Sequence, residues 1–192
     1  MAESAKRHAT YADILALDDG VHAEIIDGDL VIRAHPSPEH ADAMGSLLDA
    51  VFGPYRRGRG GPGGWWILPE VDVQLPTGDC VRPDLSGWRR ERVPNFPRGR
   101  PVSVRPDWVC EILSSNRRHD VGRKRVLYHA SKVSHYWIAD PEARTLTVLE
   151  WSEKGYVVHT VLSENDKAAL PPFDAVEIDV ELLFSPLENR EE

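Results

Sequence analysis

Apolar and polar positions along the chain change period several times, and each change predicts an element. After a polar stretch over residues 1–9, the run Tyr11-Ala12-Asp13-Ile14-Leu15-Ala16-Leu17 predicts a short helix with Thr10 as its cap, stopped by Asp18-Asp19-Gly20. Residues 22–33 predict a hairpin, because Glu24-Ile25-Ile26 and Leu30-Val31-Ile32 flank the turn signal Asp27-Gly28-Asp29. Ser37 and Pro38 then mark a helix start, and Met44, Leu47, Leu48, Val51 and Phe52 recur at helical spacing up to Gly53-Pro54. Residues 56–64 (RRGRGGPGG) read as a flexible connector; their five glycines lack the GK[ST] of a phosphate-cradling loop. Strand patterns occupy 65–75, 80–88 and 107–113, with an irregular Arg/Pro-rich stretch at 89–105. Residues 120–131 have helical periodicity, 135–140 and 145–151 predict a second hairpin, 155–162 another strand, and 176–184 a short strand with a helical turn. The pattern shows neither an internal repeat nor a second core, so residues 10–186 read as one α/β (mixed α+β) domain between a polar tail and an acidic tail at 187–192.

Composition narrows the function classes. At 192 residues and 41% hydrophobic content, the chain can bury a core without disulfide or metal staples. Cys80 and Cys110 stand alone, with no CxxC and no Cys/His pairing at zinc spacing, which fits a reducing, cytoplasmic setting. The N-terminus lacks the apolar stretch of a signal peptide, and no apolar run approaches the roughly 20 residues of a membrane helix. GxSxG, HExxH and GxGxxG are absent, which disfavours serine hydrolase, zincin and dinucleotide chemistry. The net charge of −8 hides an asymmetry: residues 82–125 hold twelve Lys/Arg against five Asp/Glu, while the remainder holds eleven against twenty-six. That basic middle is either a local polyanion footprint or a solvated surface.

Two acidic residues sit inside strand patterns. Asp84 comes directly after Pro83 in Val81-Arg82-Pro83-Asp84-Leu85, and Glu111 interrupts the apolar run Trp108-Val109-Cys110-Glu111-Ile112-Leu113. Alternation places Glu111 on the face of Val109 and Leu113. A carboxylate there is costly unless paired or bound to a cation. If the two strands are neighbours, two hard oxygen donors converge, which suits Mg²⁺. Val121, Lys124, Leu127 and Tyr128 form one helical stripe, so Lys124 is the base of Arg123-Lys124-Arg125 expected to face the sheet. An inward lysine beside carboxylates either polarises an attacking water and offsets phosphoryl charge or forms a salt bridge with Glu111.

Read with their strand order, Asp84, Glu111 and Lys124 resemble the PD-(D/E)XK nuclease superfamily, and more narrowly its restriction-endonuclease-like Uma branch. The matching stretches are 11–17 (YADILAL), 23–30 (AEIIDGDL), 36–40 (PSPEH), 81–85 (VRPDL), 106–114 (PDWVCEILS), 120–128 (DVGRKRVLY) and 135–142 (HYWIADPE), and 178–184 (IDVELLF) fits the family's ending. The resemblance covers nearly the whole chain. It implies a restriction-endonuclease-like core, with a central mixed β-sheet flanked by helices and a metal site on its two central strands. In that site Asp84 and Glu111 take the motif's acidic positions, and the Ile112 carbonyl is a further ligand. The motif's lysine falls at position 113, where this chain has Leu113; the departure fits either a lysine migrated to Lys124 or a crippled site.

In function, the resemblance implies an Mg- or Mn-dependent endonuclease acting on nucleic acid, double-stranded DNA foremost, with room for a homodimer. The competing reading is an inactive nuclease-fold binding or regulatory module. Glu24 is either an extra carboxylate at the site or a cross-strand partner, and His40 either a phosphate contact or a packing histidine. Arg82, Arg117, Arg118 and Arg123, with His119, are candidate phosphate-backbone contacts or solvated charges. The six tryptophans fall in strand patterns and are expected in the core rather than stacked on bases.

Overall fold

The computed structural model describes residues 7–114 and 118–184, without the side chains of 118–120. Most of the polar tail and all of the acidic tail therefore lie outside the described residues. Thr10 opens helix α1 (Tyr11–Leu15), its backbone N–H donating to the Asp13 carboxylate at 2.7 Å. Asp27 and Gly28 take φ of 54° and 76°, the left-handed pair that matches strand twist in a two-residue hairpin. They join β1 (Ala23–Ile26) to β2 (Asp29–Ile32). Helix α2 (Pro38–Val51) begins as expected, with the Ser37 hydroxyl accepting from the His40 backbone N–H.

Its end differs from expectation. Instead of stopping at Gly53-Pro54, the chain widens into a π-helical turn, Phe52–Arg56, closed by Arg57 N–H donating to Phe52 O. The wider turn carries Pro54, which has no N–H to donate. The glycine-rich stretch after it is tied down rather than left as a loose connector. Arg59 N–H donates to Gly53 O and Gly63 N–H to Pro54 O, each at 2.9 Å.

Two expected strands are each split. The run 65–75 divides into β3 (Trp65–Pro69) and β4 (Val73–Gln74), separated by Glu70 at φ 46°. The run 80–88 divides into β5 (Cys80–Val81) and β6 (Leu85–Arg89). Pro83 cannot donate to a ladder, and the chain changes sheet across Pro83-Asp84. The remaining elements are β7 (Trp108–Ile112), α3 (Arg118–Ala130), β8 (His135–Asp140), β9 (Thr145–Ser152), β10 (Gly155–Ser163), β11 (Lys167–Leu170), β12 (Phe173–Asp179) and a 3₁₀ turn, Val180–Leu183.

The central sheet is mixed, in the order β10-β9-β8-β7-β6-β3, with β7 and β8 parallel and the other pairs antiparallel. A second sheet, β2-β1-β5-β4, carries the hairpin, and β11-β12 form a ribbon. Period-two alternation divides the core. Trp108, Cys110 and Ile112 of β7 pack with Ala43, Leu47 and Val51 of α2, whereas Val109 packs with Leu127 and Tyr128 of α3 on the opposite face. Phe173 is the aromatic centre of the first layer, within 4.7–5.5 Å of the Tyr55, Trp65, Trp108 and Trp137 rings. Gly87 lets these indoles close, since a Cβ there would lie 3.0 Å from Trp108. Trp65, Trp88, Trp108 and Trp137 are buried as expected, and Trp66 and Trp151 are half-buried.

Candidate functional site

Glu111 leaves β7 on the face opposite Trp108 and Ile112, towards α3, as alternation requires. Asp84 occupies the step between the two sheets, immediately before β6, which pairs with β7 through Leu85 and Cys110. The Ile112 N–H donates to Asp84 Oδ2 at 2.7 Å, so the carboxylate is anchored on the strand that carries Glu111. From α3, Lys124 Nζ lies 3.0 Å from both Glu111 oxygens and 2.8 Å from Glu24 Oε1. Tyr128, one turn further along the stripe, donates its hydroxyl to Glu111 Oε1 at 2.6 Å. Glu24 enters from β1 and also accepts the Arg82 backbone N–H at 2.6 Å.

Arg33 completes the arrangement. Its guanidinium lies 3.5 Å from Glu24 and 3.1 Å from Asp84 Oδ1, and it also donates to the Arg82 carbonyl. His40 Nε2 is 3.2 Å from Asp84 Oδ2. Glu24, His40, Asp84, Glu111 and Lys124 are all buried. Arg33 and His40 also line a pocket of about 150 Å³, together with His22, His35, Glu70 and Ser114. The buried charges thus lie behind a pocket lined by Arg33, three histidines and Glu70.

The electrostatics are set by burial and pairing. Burial opposes ionisation of Asp84, but the His40 hydrogen bond and the charges of Arg33, His40 and Lys124 outweigh it and hold the carboxyl below its ordinary value. Burial raises the Glu111 carboxyl to about 7; Lys124 counteracts this, while Asp84 and Glu24 add to it. For Lys124, burial favours the neutral amine, but Glu111 and Glu24 raise its pKa and keep it protonated.

The structure therefore brings together Asp84, Glu111, Lys124, Glu24 and His40. The salt bridge left open for Lys124 is formed, and with two carboxylates. Other expected contacts stand apart. Arg82 pairs with Asp72 at 2.6 Å and touches His22. Arg123 pins α3 to the first hairpin, 3.0 Å from Asp27 and 3.1 Å from Ile26 O. Arg117 and the side chains of Arg118 and His119 lie outside the described residues.

Sequence reasoning missed Arg33 and the Tyr128 hydroxyl. Alternation along β2 does put Arg33 on the face of Val31, but Leu30 and Ile32, the more apolar-looking pair, are exposed. Tyr128 was visible only as a member of the α3 stripe.

Comparison with known proteins gives the family and the fold. Residues 9–181 match the Uma2 family, described as "Putative restriction endonuclease". The chain belongs to this family. A crystal structure of "a putative nuclease belonging to DUF820" from Anabaena variabilis ATCC 29413 is similar over 92% of this chain and 97% of that one, with a TM-score of 0.73 at 18% identity. No curated protein matches the chain. The Uma2 member described here thus has the expected restriction-endonuclease-like fold, a central mixed sheet with α2 and α3 on opposite faces.

Among the described residues, no three His, Cys, Asp or Glu side chains are grouped as a ready-made metal cage. The donor chemistry nevertheless fits a hard divalent cation, which takes one or two carboxylates and retains several waters. Three buried carboxylates, Glu24, Asp84 and Glu111, face two permanent cations, Arg33 and Lys124. Among the described residues no helix is long and apolar enough to cross a membrane.

Proposed function

We propose that this Uma2 protein is a metal-dependent endonuclease that hydrolyses phosphodiester bonds in nucleic acid, double-stranded DNA foremost. The observation that carries the reading is the convergence of Asp84, Glu111 and Lys124 from three elements into one buried cluster behind the Arg33–His40 mouth. Asp84 and Glu111 would hold Mg²⁺ or Mn²⁺, with the Ile112 carbonyl as a further donor. Bound there, the ion supplies a Lewis acid for a phosphoryl oxygen and lowers the pKa of a water. Arg33 presents positive charge to a phosphate in the pocket. Lys124, held protonated between Glu111 and Glu24, supplies the positive charge that the motif places at position 113, here Leu113. Glu24 positions Lys124, and His40 and the Ile112 N–H fix the Asp84 carboxylate.

Titrating Mn²⁺ into the protein by calorimetry tests the ligand assignment. Wild type is expected to bind, and Asp84→Ala to bind at least about tenfold more weakly. Equal heats from both proteins would remove the metal from the proposal. A second reading, a nuclease-fold binding module without hydrolysis, is favoured by Leu113 and by the closed ion pairs of Lys124. Lys124→Ala separates the two. A hydrolytic site loses roughly 100-fold or more in plasmid nicking, whereas a module leaves wild type and variant equally inert.

A further inference from the structure

The acidic chain carries a second concentration of positive charge, at the opposite end of β6 from Asp84. Residues 52–66 and 88–106 together hold nine arginines, no lysine and one acidic residue, Glu91. Five of these arginines stack on aromatic rings, and four of them, Arg56, Arg57, Arg90 and Arg98, form an aromatic rail. Arg56 and Arg90 sit 4.6 and 4.1 Å from the Trp66 ring centroid, Arg57 5.1 Å from Phe52, Arg89 4.7 Å from Trp65, and Arg98 5.9 Å from Phe96. Phe96 packs edge-on against Trp66, with ring centroids 5.5 Å apart, and Arg56, 6.0 Å from the Phe52 centroid as well, joins that pair to Phe52; Arg89 and Trp65 lie on the opposite face of β3.

The arrangement is built but not neutralised. Arg90 donates to the carbonyls of Trp65 and Arg56, which fix its position without cancelling its charge. Among the described residues Arg56, Arg57, Arg90 and Arg98 form no ion pair; Glu91 lies 4.0 Å from the Arg89 guanidinium, and Asp107 accepts the Arg89 backbone N–H but pairs with Arg92. The buried Nε of Arg56 has no hydrogen-bond partner among the described residues. Burial, and then the neighbouring Arg90 and Arg57, depress the Arg56 pKa, the signature of like charges held together. Aromatic faces hold guanidinium planes while leaving N–H groups for a second partner, and arginine is the residue suited to phosphate oxygens.

From these contacts we infer that the Arg56–Arg57–Arg90–Arg98 rail is a docking surface for the sugar–phosphate backbone of duplex DNA, remote from the cluster around Asp84. The inference deepens the nuclease reading and rests on it for the choice of polyanion. Arg89 is five residues from Asp84 along β6, about 17 Å at strand rise. That is about five base-pair steps of B-DNA, so one duplex spans both places. The rail therefore holds flanking DNA in register while the pocket receives the phosphate that is cut. In this account Arg90 and Arg98 of the basic middle join Arg56 and Arg57 from outside it in the polyanion footprint, and Arg82 and Arg123 do not take part.

The test is fluorescence anisotropy with a fluorescein-labelled 20-base-pair duplex in EDTA, over a range of salt, so that binding is read without cleavage. Wild type is expected to show a linear fall of log affinity with log salt. The double variant Arg57→Glu/Arg98→Glu alters two exposed side chains and is expected to lower that slope by about 2 and to weaken binding roughly tenfold or more at 0.1 M salt. Should the double variant fail to fold by circular dichroism, Arg98→Glu alone is expected to lower the slope by about 1. An unchanged slope in a folded variant overturns the inference, as does binding to anionic vesicles or heparin without binding to duplex. The two claims fail separately. Cleavage by a variant with unaltered DNA binding sinks the rail and leaves the nuclease; arginine-dependent binding without any cleavage does the reverse.

Discussion

Glu111 is a carboxylate on a strand whose other residues are apolar, and its surroundings set its behaviour. Lys124 and Tyr128 both reach it from α3, yet burial and the nearby Asp84 and Glu24 raise its pKa from an ordinary 4.5 to about 7. Between those values the folded protein keeps a proton that the unfolded chain has released, so this group's stabilising effect is lost as pH rises. In the presence of a chelator, the wild-type melting temperature should therefore fall relative to Glu111→Gln from pH 5 to 7 and level off above. A difference independent of pH would contradict the burial-driven shift. The importance of Glu111 was legible in the sequence because the charge breaks an apolar run. Arg33 was not legible, because its β2 neighbours Leu30 and Ile32 are apolar and yet face solvent. The hairpin buries β1 far more than β2, and nothing in the alternation alone says which side of a two-stranded ribbon meets the core.

At the level of elements, the site depends on where chains stop. Pro83 ends β5, the chain crosses between sheets, and Asp84 enters the interior at that break. Sequence pattern predicted one strand there, since both halves are apolar and a change of sheet leaves no periodic trace. Helix α2 holds His40 in its first turn, and the Ser37 cap on the His40 N–H sets that turn beside Asp84. Ser37→Ala should cost about 1 kcal/mol in chemical denaturation. An unchanged unfolding midpoint would show that packing of Leu47 and Val51, and not the cap, fixes the start of α2. The helix start was legible from Ser37-Pro38. The π-helical end was not, because Gly53-Pro54 carries the ordinary stop signal while Tyr55 remains buried against Phe173 and continues the turn.

For the whole molecule, one mixed sheet separates two packed layers and exposes two cationic regions. The first is the pocket at Arg33 and His40, whose positive charge is the paired Arg33 guanidinium, and the second is the arginine rail beyond the far end of β6. Order and type of the main elements were readable because β7, β8, β9 and β10 have regular patterns. The gathering of Asp84, Glu111 and Lys124 is legible from family likeness and an inward lysine, Glu24 stays open in the sequence, and the structure supplies the distances that join all four. The central claim is that this cluster hydrolyses phosphodiester bonds. Conversion of supercoiled plasmid to nicked circles, monitored with purified protein and Mn²⁺, measures it directly. The account predicts nicking by wild type that falls roughly 100-fold or more in Asp84→Asn; nicking undiminished in Asp84→Asn, or none by wild type on any nucleic acid, would contradict it.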